Sequence, residues 1–89
     1  MNAIITVVGT DKVGIIARVS AFLAERNVNI EDISQTIMKD NFVMIMMVDL
    51  SQGSESLEQI KAGLAEIGEA MKVSISIMHE KVFGAMHRI

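Results

Sequence analysis

The sequence predicts an α+β domain of the ferredoxin-like type, a βαββαβ sandwich with one four-stranded antiparallel sheet and two helices on one face. Three observations predict it. Two stretches repeat their apolar residues at helical spacing, Ile15, Ile16, Val19, Phe22, Leu23 and then Leu57, Ile60, Leu64, Ile67, Met71. Four short apolar runs, Ala3 to Val8, Val28 to Met38, Phe42 to Val48 and Val73 to His79, read as strands around them. The 89 residues contain no proline and no linker-like stretch, so the chain reads as one domain, 1–89, with a core over 1–79 and a tail over 80–89.

The first run is short, β-branched and almost wholly apolar, as expected of a strand buried on both faces and therefore central in its sheet. Gly9 ends it. After Thr10 and Asp11 a helical pattern runs to about Arg26, with Arg18, Glu25 and Arg26 outside the apolar stripe and Asn27 as the stop. The second strand alternates only in part. Lys39-Asp40-Asn41 is a turn signal, so strands two and three form a hairpin. Strand three is seven apolar residues in a row. Gln52-Gly53-Ser54 breaks the pattern and offers Ser54 as cap of the second helix. Gly63 and Gly68 each cost that helix about 1 kcal/mol against Ala, which points to a close approach by a neighbouring element. Strand four alternates strictly, Val73, Ile75 and Ile77 against Ser74, Ser76 and Met78, so one of its faces is wet. Right-handed crossovers place both helices on one side and strands one and three in the middle.

That arrangement leaves the second sheet face in need of a cover. Strand three sends Phe42, Met44, Met46 and Val48 one way and Val43, Ile45 and Met47 the other. One set must look away from the helices, and apolar patches of several hundred Å² are rarely left bare. Two covers fit. One is a second subunit, and a homodimer is the expected state. The other is the tail, where Val82, Phe83, Met86 and Ile89 recur at helical spacing.

Composition narrows the function. Half the residues are hydrophobic, with three Phe and no Trp or Tyr, so the core is aliphatic. The absence of cysteine removes disulfides, thiol catalysis and thiolate metal sites. No apolar run reaches the roughly 18–20 residues of a membrane span, and no basic region followed by an apolar one opens the chain. The cytoplasm is the expected compartment. A net charge of −3 with scattered acids and bases favours no polyanionic partner. His79 and His87 have no partner pattern, so no metal site is expected. No nucleophile stands near a base, so neither catalytic residues nor a cofactor are expected.

The loop Gly9-Thr10-Asp11-Lys12-Val13-Gly14 joins strand one to the first helix. Its glycine spacing imitates a phosphate-binding loop, but Ile15 and Ile16 stand where Lys and Ser or Thr are required, which argues against nucleotide hydrolysis. A helix start still presents free N–H groups and partial positive charge to a carboxylate. Asp11, as N-cap, satisfies one donor and attracts an ammonium, so a zwitterion suits the loop. Gly14 has no Cβ and admits close approach. The plainer reading is that Asp11 only caps the helix and Gly14 only shapes the turn. Asn29 opens strand two, where a turn role is also open to it.

The residues Thr6-Val-Val-Gly-Thr-Asp-Lys-Val-Gly14-Ile-Ile, then Leu23-Ala-Glu-Arg-Asn-Val-Asn-Ile30 and Ile33-Ser-Gln35, resemble the ACT domain, and the resemblance spans essentially the whole chain. The ending Val82 to Ile89 is similar to the tail of small stand-alone bacterial members. The resemblance implies an amino-acid sensor that regulates an enzyme or a transcription regulator. It also implies a dimer that binds ligand at its interface, with Asp11, Gly14 and Asn29 as binding positions and Ile15 and Ile30 as apolar wall. Two departures bear on the ligand. Val13 stands where many members have Pro, and Asp11 stands where serine-sensing members have Asn, which changes the charge of the site.

Rival readings are weaker on the residues. An RNA-recognition sandwich needs aromatics on its central strands and a basic face, and only Phe42 is there. An acylphosphatase-like hydrolase needs an Arg near the loop after strand one, but the first Arg is Arg18, inside the helix. An interaction domain that keeps the fold and lacks a ligand stays open.

Overall fold

The computed structural model describes residues 1–10 and 14–86. Its elements run β1 (Asn2–Gly9), α1 (Ile15–Glu25), β2 (Asn29–Met38), β3 (Asn41–Asp49), α2 (Leu57–Met71), β4 (Ser74–His79) and α3 (Glu80–Met86). The four strands form one sheet in the order β2-β3-β1-β4, and every neighbouring pair is antiparallel. The two most apolar runs are the central strands, as expected, because only central strands have both faces available for burial.

The core lies between the sheet and the helices α1 and α2. From the sheet it takes Ala3, Ile5 and Val7 of β1, Phe42, Met44, Met46 and Val48 of β3, and Ile77 of β4. From the helices it takes Ile15, Val19, Phe22 and Leu23, then Ile60, Leu64 and Ile67. These are the periodic positions of both helices. The ambiguity of β3 is thereby settled: its even-numbered residues face the helices, and Val43, Ile45 and Met47 look away.

Local chemistry sets the boundaries. Asn27, Lys39 and Lys72 adopt positive φ (58°, 59° and 58°), ending α1, turning the β2–β3 hairpin and ending α2. The cap of α2 is Ser56, not the expected Ser54. Ser56 Oγ accepts from the Gln59 N–H at 3.2 Å, and Gln59 Oε1 accepts from the Ser56 N–H at 2.8 Å. Two residues before that cap, the Ser54 N–H donates to the Arg26 carbonyl at 3.1 Å. That bond fastens the β3–α2 loop to the end of α1. Arg26 reinforces it through Nε to Glu55 at 2.9 Å, through a bond to the Phe22 carbonyl at 3.0 Å, and with its guanidinium 3.7 Å from the Phe22 ring centre.

The two glycines of α2 have separate reasons. A Cβ at Gly63 would collide with the Phe22 ring, so this glycine lets α1 and α2 approach. A Cβ at Gly68 would stand 2.8 Å from the Val73 carbonyl oxygen, so that one lets β4 return against its own helix.

The tail forms α3 and packs on β1 and β4. The imidazole Nδ1 of His79 accepts from the Lys81 N–H at 3.0 Å and caps its start. Phe83 lies against the helix-free sheet face, sharing a hollow of about 190 Å³ with Ile4, Asp32, Ser34, Ile45 and Met47. Ile4 is buried there, whereas Val8 and Ile45 remain exposed. The cover over this face is therefore partial and comes from the chain's own tail. Val82 points outward, half exposed, and Ile89 of the expected stripe lies outside the described residues.

Candidate functional site

Gly14 is the N-cap of α1, with φ 82° and ψ −17°. This left-handed conformation costs an L-residue about 1–2 kcal/mol, and glycine adopts it freely. The position assigned to Asp11 as cap is thus held by a residue with no side chain, and Asp11 itself lies outside the described residues. The helix start makes no side-chain cap hydrogen bond among the described residues, and its first turn carries no acid. The first helical bond runs from the Arg18 N–H to the Gly14 carbonyl at 2.9 Å. The N–H groups ahead of it have no partner within the helix, and they carry its partial positive charge.

Gly14 is exposed. The nearest atom to the place a Cβ would occupy is the Met71 methyl group, 3.7 Å away at the end of α2. Met71 is therefore a neighbour of the loop that helical periodicity could not reveal. Its place in the α2 stripe reads simply as core. Ile15, the next residue, is 1% exposed and belongs to the core. Ile30 is half-buried and packs against that core from β2.

Asn29 is exposed and opens β2, but at the other end of the sheet. Asn29 is paired with Asp49, and Asp49 with Asn2, the first residue of β1. Gly9, from which the loop departs, is paired with Phe42, and Phe42 with Ile37 near the end of β2. Seven strand steps separate these two ends, about 23 Å. Within one chain the structure does not bring Gly14 and Asn29 together. Around Asn29 lies an open hollow of about 420 Å³, lined also by Ala24, Asn27, Val28 and Gln52. This polar end of the molecule carries no signal in the sequence beyond its turn residues.

Electrostatics at the Asn29 end are structural. The Ser51 N–H donates to the Asp49 carboxylate at 2.9 Å, and the N-terminal ammonium stands 3.6 Å from it. The hydrogen bonds from Ser51 chiefly, with a smaller contribution from the ammonium, hold the Asp49 carboxyl below its ordinary pKa. Among the described residues no group of three or more His, Cys, Asp or Glu side chains is placed to hold a metal ion. Likewise no described helix is long and apolar enough to cross a membrane.

With this geometry in hand, comparison with known proteins is informative. The family model described as the ACT domain matches residues 2–78. A UPF0237 protein of Clostridium acetobutylicum is 54% identical over 89 residues, covering all of both chains. A UPF0237 protein of the archaeon Methanopyrus kandleri is 47% identical over 88 residues, covering 99% of this chain and 98% of its own. Among solved structures, an ACT domain protein from Streptococcus pneumoniae superposes with a TM-score of 0.82 at 40% identity, over 93% of each chain.

Proposed function

The chain belongs to the ACT domain family of regulatory ligand-binding modules, and we propose that it senses a free amino acid at a dimer interface and does no catalysis of its own. The observation that carries this reading is the start of α1. An exposed glycine in left-handed conformation opens a helix whose N–H groups no described side chain caps, directly after the first strand. Such a start accepts a carboxylate. Asp11, three residues earlier, supplies the charge that an ammonium requires. A zwitterion satisfies both, where a plain anion would meet the acid as a like charge. Asn29 is the further polar contact, and because it lies far from Gly14 in its own chain, the site is one that two chains build together. Ile15 and Ile30 then act from beneath, as core residues that hold the two binding positions.

Thermal unfolding in the presence of each amino acid tests the reading. A ligand at 100 times its Kd stabilises by about 2.7 kcal/mol, which for a domain of this size raises Tm by about 10 °C or more. Gly14→Val forces a β-branched residue into positive φ and is expected to abolish that shift while leaving the oligomeric state unchanged. Survival of the shift in Gly14→Val would place the site elsewhere.

A second reading has its own support. The apolar Val8 and Ile45 on the helix-free face, and the exposed β2, are what an interaction domain without a ligand would show. A chain that dimerises yet responds to no amino acid would establish that reading instead.

A further inference from the structure

The helix-free face of the sheet has an order of its own. Strand pairing sets Met78, Ile4, Met47 and Asp32 in one row across it, and Ser76, Thr6, Ile45 and Ser34 in the next. In both rows an apolar middle ends in a polar residue of β2. The tail helix α3 packs on β1 and β4, so it closes this face from the β4 side and leaves the β2 side open. Between the two lies the hollow of about 190 Å³. Its apolar lining is Ile4, Ile45, Met47 and the Phe83 ring, and its polar lining is Asp32 and Ser34.

Asp32 is the one charged residue in that lining. Its Oδ1 accepts from the Ile33 N–H at 2.9 Å, and among the described residues it has no ion-pair partner. Ser34 Oγ makes no hydrogen bond among the described residues. Asp49, the acid on the next turn of the same face, differs. It is held by the Ser51 N–H and faced by the N-terminal ammonium. One acid on this face is thus used by the fold, and the other stands at the mouth of an apolar hollow with an oxygen to spare. Small-ligand sites combine those two elements, an apolar wall for the body of the ligand and a few convergent polar groups that orient it.

We propose that this hollow binds a small primary amine with an apolar, ring-bearing body. The ammonium donates to Asp32 Oδ2 and to Ser34 Oγ. The ring lies on Ile45 and Met47 and against Phe83, where a thioether and an aromatic edge are favourable company. Size agrees, because an apolar cavity of about 150 Å³ takes a benzene ring, and 190 Å³ adds room for a short arm. Charge narrows the class further. A free amino acid would bring its carboxylate beside Asp32, a like charge. A metal ion would find one carboxylate and one hydroxyl, too few oxygens for calcium. The amine site is therefore chemically distinct from the amino-acid site proposed above. It lies on the other side of the sheet and does not depend on that reading.

Methionine-methyl NMR of the native chain tests the proposal, with phenethylamine as the probe. Met47 lines the hollow, whereas Met44 and Met46 belong to the core on the opposite face and serve as the internal reference. Phenethylamine is expected to shift the Met47 methyl saturably, with a Kd on the order of 1 mM, and to leave Met44 and Met46 in place. Phenylalanine, which adds a carboxylate, and 2-phenylethanol, which lacks the charge, are expected to move Met47 at least threefold more weakly. Asp32→Asn keeps an acceptor for the Ile33 N–H and removes only the charge. It is expected to weaken the amine about three- to fivefold. Phe83→Ala is expected to weaken it about tenfold. A Met47 methyl that moves no more than those of Met44 and Met46 overturns the site. Equal affinity for the amine and the alcohol, or full affinity in Asp32→Asn, overturns the ammonium contact and with it the ligand class.

Discussion

β3 and β2 are adjacent strands joined by a tight hairpin, and both carry large apolar residues on the side that faces the helices. In β3 those residues, Phe42, Met44, Met46 and Val48, are all at most 3% exposed. In β2 only Ile30 is half-buried, and Ile33 and Ile37 stand in the open. The residue types are alike, and the strands are about 4.8 Å apart. The difference is the reach of the helix layer, which covers β3 along its length but β2 only near Ile30. Burial here belongs to position in the layer rather than to the residue, and an apolar residue left outside it is free for another chain.

Substitution by alanine breaks the comparison most directly. Ile5→Ala empties a fully buried site at the centre of the core and is expected to cost about 2–5 kcal/mol in urea unfolding. Ile37→Ala, at a side chain 61% exposed, is expected to stay within about 0.5 kcal/mol. A large loss there would mean that β2 is already part of the core. Smaller in effect is Ser56→Ala, which removes one half of the capping box of α2, a helix that supplies part of the closed layer. About 1 kcal/mol is expected in the same urea unfolding.

The smallest effect concerns the end of the sheet where β1, β2 and β3 meet. The folded-state pKa of Asp49 lies below its unfolded value, because Ser51 and the ammonium favour the carboxylate. Its contribution is therefore complete at neutral pH and fades as pH falls through the folded pKa. Asp49→Asn is expected to lower Tm slightly at pH 7 and to match the parent in strong acid. A gap that widened on acidification would reverse the sign of this linkage.

Much of this was legible in the residues. The spacing of Ile15 to Leu23 and of Leu57 to Met71 located both helices and their buried faces, since a 3.6-residue repeat admits only one apolar stripe. The wet face of β4 followed from its serines. The candidate site was legible as a loop, Gly9 to Gly14, but not as a place. The pairing of Asn29 with Asp49 sets it at the far end of the sheet from that loop, and pairing is a long-range property. The sequence offered Ser54 as the cap of α2, but the helix begins at Leu57, so the cap falls on Ser56, two residues later. Met71 shows the same limit, for its neighbour Gly14 is far away in the chain.

By itself, then, the sequence determined the order of elements, the central place of β1 and β3, the aliphatic core and the exclusion of thiol chemistry. Those follow from periodicity, length and composition, which act locally or not at all. Only the tertiary structure decided which side of β3 faces inward, which glycine serves which contact, and that β2 is left as an open edge. A period of two says that a strand has two faces without saying which is covered, and nothing local to Ile33 or Ile37 records where the helices end.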